Sequence, residues 1–129
     1  MEKVIGIGGI FFKSENPSEL AAWYKKHLGL PIDESYGGYT FDWKDDNQRP
    51  SKGYSIWSPF PNDTDYIEPS EKDFMFNFIV DDLRALINQL KSEHVQISGE
   101  IEDTEFGLFG WIIDPEGNKV ELWEPADDQ

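Results

Sequence analysis

One order of elements is written twice in this chain, and that repeat constrains the fold more than any other feature. Val4 to Phe12 reads as a strand, Val-Ile-Gly-Ile-Gly-Gly-Ile-Phe-Phe, with a glycine-relieved face. Asn16 offers an N-cap and Pro17 suits the first helical position. Leu20, Trp23, Tyr24 and Leu28 follow at helical spacing, and Gly29 stops the helix. Strand-like pieces come next at Pro31 to Tyr36, Tyr39 to Trp43 and Gly53 to Ser58, with polar Lys44 to Lys52 looping between the last two. After a connector rich in Pro and Asp, the order returns. Phe74 to Val80 reads as a strand, and Asp81 or Asp82 caps a helix carrying Leu83, Leu86, Ile87 and Leu90 on one stripe. Strand-like pieces follow at Val95 to Ile101, Phe106 to Asp114 and Lys119 to Trp123. The reading is βαβββ twice in one α+β domain spanning 1–129, with modules at about 3–58 and 73–125 and a connector at about 59–72. The halves share little residue identity, so the repeat rests on pattern.

The closing stretch, Asp114 to Pro125, carries the densest local signal. Asp114-Pro115-Glu116-Gly117 has type I turn chemistry: Asp first, Pro second, Gly fourth. Beyond it the residues alternate with period two. Val120 and Leu122 point to one face of a strand, while Lys119, Glu121 and Trp123 point to the other. A carboxylate beside an indole on one sheet face is a plausible pocket wall.

Charge and composition narrow the partners. The formal net charge of -15 disfavours nucleic acid and anionic membrane surfaces. Only two arginines, Arg49 and Arg84, could grip an anion in a bidentate fork, so a neutral or cationic ligand fits better. Nine Phe, five Trp and five Tyr supply core and potential cavity wall. The absence of Cys excludes disulfides, thiol nucleophiles and thiolate metal sites. There is no signal-peptide pattern and no apolar run of membrane-spanning length, so the expected location is the cytoplasm.

Four motifs in order resemble the vicinal oxygen chelate superfamily of glyoxalases, bleomycin-resistance proteins and extradiol dioxygenases. They are the strand Ile7-Gly8-Gly9-Ile10-Phe11-Phe12, the helix Trp23-Tyr24-Lys25-Lys26-His27-Leu28-Gly29, the segment Phe78-Ile79-Val80-Asp81-Asp82, and the closing Asp114-Pro115-Glu116-Gly117-Asn118 with Glu121-Leu122. The resemblance covers nearly the whole chain. It implies two tandem βαβββ modules forming a curved mixed sheet, with helices outside and a ligand cavity inside. Val120 and Leu122 would then pack on helices while Glu121 faces the cavity.

The family's metal enzymes hold a divalent ion with His or Glu from four strand positions. By resemblance these fall on Gly9, Ser55, Met75 and Glu121. Only Glu121 is a usual ligand, since a thioether and a hydroxyl suit such a metal poorly and a catalytic zinc needs three protein ligands. A two-residue slip would bring Asp73 or Asn77 onto the Met75 face, but nothing on the first strand would join them. His27 and His94 lie off the strands, as helix-end residues. No metal or other cofactor is therefore expected.

The resulting expectation is a binding protein for a small cationic or aromatic molecule, close in logic to the bleomycin-resistance branch. Glu121, Trp123, Trp57, Ser55, Met75 and Gly9 would line its cavity, with Glu121 the best candidate for any catalysis. The faces of Trp43 and Trp111 stay open, and Trp23 and Tyr24 belong to the helix-packed core. Glu100, Glu102, Asp103 and Glu105 read as a solvated edge or loop. A homodimer is expected, covering exposed sheet edges. Two alternatives stand beside this reading. One is a glyoxalase-type lyase or isomerase, using a divalent metal or Glu121 alone as general base. The other is a protein-binding regulatory module whose pocket is vestigial.

Overall fold

A computed structural model describes residues 3–44, 47 and 50–126, excluding the side chains of 50–52. Of the polar loop expected over 44–52, Lys44 and Pro50 to Lys52 instead join the flanking strands, and residues 45, 46, 48 and 49 lie outside the described residues. Ten elements follow one another: β1 (Val4–Ser14), α1 (Pro17–Leu28), β2 (Tyr39–Lys44), β3 (Pro50–Pro61), β4 (Phe74–Val80), α2 (Leu83–Ser92), β5 (Gln96–Ile97), β6 (Glu102–Thr104), β7 (Gly107–Ile113) and β8 (Lys119–Pro125).

The strands form one curved, open sheet in the order β2-β3-β1-β4-β8-β7-β5, with β6 paired to β7. Its connectivity repeats as the sequence pattern implies. The first strand of each module runs parallel to that module's last strand, β1 beside β3 and β4 beside β8. Each last strand is flanked by an antiparallel neighbour, β2 or β7. The modules join where β1 meets β4 antiparallel.

Both helices start where capping chemistry places them. Asn16 Oδ1 accepts from Glu19 N at 3.2 Å, and Pro17 opens α1. Gly29, at φ 70°, closes it in the left-handed conformation. For α2 the cap is Asp82, whose Oδ1 accepts from Ala85 N at 3.0 Å. Glu124 of β8 adds a distant cap, accepting from Leu83 N at 2.9 Å and fastening α2 to the closing strand. In the closing turn the Asp114 carboxylate accepts from Glu116 N, Asn118 N and Asn118 Nδ2, which fixes the β7–β8 register.

The structure corrects two further local expectations. Pro31 to Tyr36 is a turn with a single bridge, Asp33 to Gly38, because the Asp33 carboxylate accepts from Ser35 N and Oγ and curls the chain back on itself. Val95 to Ile101 shortens to β5, since Gly99 at φ 76° turns the backbone out of extended form. The acidic stretch nearby supplies the short exposed edge strand β6.

Two apolar clusters lie on the two faces of the sheet. Against α2, Leu83, Leu86 and Ile87 pack with Val80 and Leu122, joined by Phe78 and Val120. On the inner face Phe11, Met75 and Trp111 enclose Ile67, a fully buried residue of the connector. The α1 side is looser. Tyr24 packs on Trp57 at 4.7 Å between ring centroids, but Trp23 is 52% exposed and rests on Tyr24 and His27. Trp23 is therefore a surface residue, contrary to its expected place in the core.

Candidate functional site

The inner face of the sheet holds a cavity of about 1090 Å³ whose walls come from both modules. Strand alternation on β8 sends Glu121 and Trp123 toward it, while Leu122 faces α2. From β7, Phe109 lies opposite Trp123 and Trp111 opposite Glu121, so Trp111 shares the inner face. Trp123 stacks on Phe109 at 5.9 Å and meets Tyr54 of β3 edge-on at 4.7 Å, closing one wall across the modules. Its indole N–H donates to the Phe106 carbonyl at 2.8 Å.

Glu121 is 2% exposed, and protein donors hold its carboxylate. Oε1 accepts from Asn77 Nδ2 at 2.7 Å, and Oε2 accepts from Trp111 Nε1 at 2.9 Å and from the Tyr66 hydroxyl. A buried carboxylate needs such donors because it has given up water. Tyr66 belongs to the connector. Burial, then the charge and hydrogen bond of Glu121, push its hydroxyl well above the ordinary tyrosine range. Lys119 completes the group: its Nζ donates to the Tyr66 carbonyl at 2.6 Å and lies 5.2 and 5.5 Å from the Tyr66 and Trp111 ring centroids. Burial lowers the Lys119 pKa, partly offset by Glu121 and other nearby carboxylates.

Of the six expected cavity residues, Glu121 and Trp123 line the cavity and four lie elsewhere. Trp57 faces the other way, packed on Tyr24 of α1 and Phe12 of β1. Ser55 is engaged as well, accepting from Trp43 Nε1 and donating to the Ile7 carbonyl. The cavity wall from β3 is instead the opposite set, Tyr54, Ile56, Ser58 and Phe60. Alternation could not choose between these sets, because both carry large apolar side chains. Met75 is fully buried against Phe11, Ile67 and Trp111, in space the connector fills. Gly9 leaves room for a ring, as a Cβ there would come within 2.7 Å of Phe11. The open face of Trp43 resolves to contact with Gly6 and Gly53, outside the cavity lining.

Residues 12–122 match the family model of the Glyoxalase/Bleomycin resistance protein/Dioxygenase superfamily. The chain belongs to that superfamily. Solved structures agree in fold. Methylmalonyl-CoA epimerase from Mycobacterium tuberculosis superposes with a TM-score of 0.59 at 20% identity, covering 95% of this chain and 89% of that one. A superfamily member from Vibrio splendidus 12B01 gives 0.57 at 10% identity, over 96% and 99%. A methylmalonyl-CoA epimerase in complex with methylmalonyl-CoA and NH4+ gives 0.67 at 15% identity, over 97% of each chain. No curated protein matches the chain significantly.

The superfamily's enzymes imply a divalent metal, and the residues here do not fit one. Gly9 has no donor, Ser55 is turned to Trp43 and Ile7, and Met75 is sealed in an apolar cluster. Glu121 spends its oxygens on Tyr66, Trp111 and Asn77. Among the described residues no three His, Asp or Glu side chains gather closely enough to hold an ion.

Proposed function

We propose that this superfamily member binds a small, largely aromatic molecule, neutral or cationic, in the inner cavity, without a catalytic metal. One observation carries the reading: among the described residues the cavity lining contains two carboxylates, Asp42 and Glu121, and no Lys, Arg or His. The rest is mainly apolar or aromatic, with Phe11, Ile56, Phe60, Phe109 and Trp123 prominent. Such a wall favours a flat apolar body and repels an anion. Methylmalonyl-CoA, bound by the structural neighbour, carries several phosphate charges, and the described residues of this lining offer them no counter-ion.

The remaining space supports a ligand over a vestigial pocket. Ile67 of the connector packs with Phe11, Met75 and Trp111 and is not in the cavity lining, and the cavity of about 1090 Å³ lies within the range of small-molecule sites or slightly above it. A lyase reading lacks its metal donors.

A thermal-shift series with N-methylquinolinium, 1-methylnaphthalene and 1-naphthoate tests the proposal. Ligand at a hundredfold excess over Kd adds about 2.7 kcal/mol, a readable shift in melting temperature. The cation and the neutral compound should raise the melting temperature, and the anion should not. Stabilisation by the anion alone would overturn the reading.

A further inference from the structure

Of the two carboxylates in the described cavity lining, one is held by protein donors and the other, Asp42, is exposed and has no hydrogen-bond partner among the described residues. Glu121 is bound by Tyr66, Trp111 and Asn77, and the chain's own cation, Lys119, sits over the neighbouring Tyr66 and Trp111 rings. That end of the inner face already joins a carboxylate, two aromatic rings and an ammonium. Asp42 is its counterpart, with no cation beside it among the described residues, which exclude Arg49 and the Lys52 side chain. It lies on β2 directly opposite Tyr54 of β3, and an antiparallel pair of this kind brings Cβ atoms to about 5 Å. Among the described residues its carboxylate accepts no hydrogen bond and meets no Lys, Arg or His.

Two tyrosines stand beside it. Tyr54 reaches across to Trp123, and burial, followed by the charges of Asp42 and Tyr36, raises its hydroxyl pKa. Tyr36 is held by its hydroxyl against Thr40 Oγ1 at 2.7 Å, in the turn that Asp33 folds. Thr40, Asp42, Tyr36 and Tyr54 all line the cavity.

We propose that Asp42, Tyr36 and Tyr54 form the subsite that receives the positive end of the ligand, an aromatic ring nitrogen or alkylammonium, while the ligand's apolar body extends toward Trp123 and Phe109. Glu121 then acts as a structural anchor for the connector rather than as the ligand's counter-ion. The subsite rests on the reading of the cavity as a ligand site.

Quenching of intrinsic Trp fluorescence by N-methylquinolinium and by the isosteric neutral 1-methylnaphthalene separates the two claims. An exposed ion pair together with a cation–π contact makes the wild-type protein prefer the cation by about fivefold. Asp42→Asn should lower that ratio about twofold or more, and Tyr36→Leu should lower it as well. Glu121→Gln should keep it. A ratio unchanged in Asp42→Asn, or lost only in Glu121→Gln, overturns the subsite. Equal wild-type affinity for both probes also overturns it while leaving the cavity reading intact. Failure of both probes to bind the wild type refutes the cavity reading itself.

Discussion

The Tyr66 hydroxyl donates to Glu121 Oε2, so the connector between the modules is tied to the closing strand at a single buried carboxylate. The strand supplies the acceptor, and the chain between the modules supplies a donor that local patterning cannot foresee. Ile67, next in sequence, anchors the same segment in the inner cluster.

Tyr66→Phe should therefore destabilise the protein by about 1.5–3 kcal/mol, the range for a hydrogen bond to a charged group. Urea unfolding followed by Trp fluorescence measures this. A loss below about 0.5 kcal/mol would mean that water replaces the hydroxyl without cost.

Alkaline pH should expose the same bond. The folded-state pKa of Tyr66 is raised above its ordinary 10.0, so its contribution is fully present below that value and is lost as pH rises beyond it. Tyr36 and Tyr54 are shifted in the same direction. Lys119 is lowered, so by the same linkage its share rises with pH up to its unfolded value. Wild-type stability should fall more steeply above about pH 10 than that of Tyr66→Phe. Parallel curves for the two proteins would contradict this assignment.

The two tryptophans near α1 should behave differently. Trp57 packs on Tyr24 and Phe12, so Trp57→Ala should cost about 2 kcal/mol or more. Trp23 is half exposed, so Trp23→Ala should cost less than about 1 kcal/mol. Thermal denaturation of both variants decides the matter, and the reverse order would place Trp23 in a core after all.

Ile10 pairs with Phe76 at the β1–β4 seam, and both side chains, with Ile7 and Phe74, stay exposed. Apolar side chains grouped at a sheet seam are a reason to expect a homodimer. Light scattering at micromolar concentration should give twice the chain mass, and Phe76→Glu should halve it. A wild-type monomer would reject the dimer.

Much of the architecture could be read from the sequence because its signals are local. Asn16, Pro17 and Gly29 bound one helix, Asp82 starts the other, and Asp114 with Gly117 builds the closing turn. Glu121 and Trp123 were legible because β8 alternates cleanly between the sheet faces. On β3 both faces are apolar, so the expectation chose Ser55 and Trp57 where the cavity takes Tyr54, Ile56 and Ser58. Tyr66 gave no signal at all, since its partner lies fifty-five positions away. Asn77 was reachable only as a register slip of Met75; β4 and β8 place it directly opposite Glu121.

The central claim is that the inner cavity is a binding site for an aromatic ligand. The most direct measurement is a crystal structure of the protein saturated with N-methylquinolinium. The expected density is a flat ring inside the cavity against the wall formed by Tyr54, Trp123 and Phe109, its charged nitrogen toward Asp42 and the Tyr66–Glu121 bond intact. Ordered density only on the outer face, or a cavity filled by displaced side chains with no probe inside, would contradict the account.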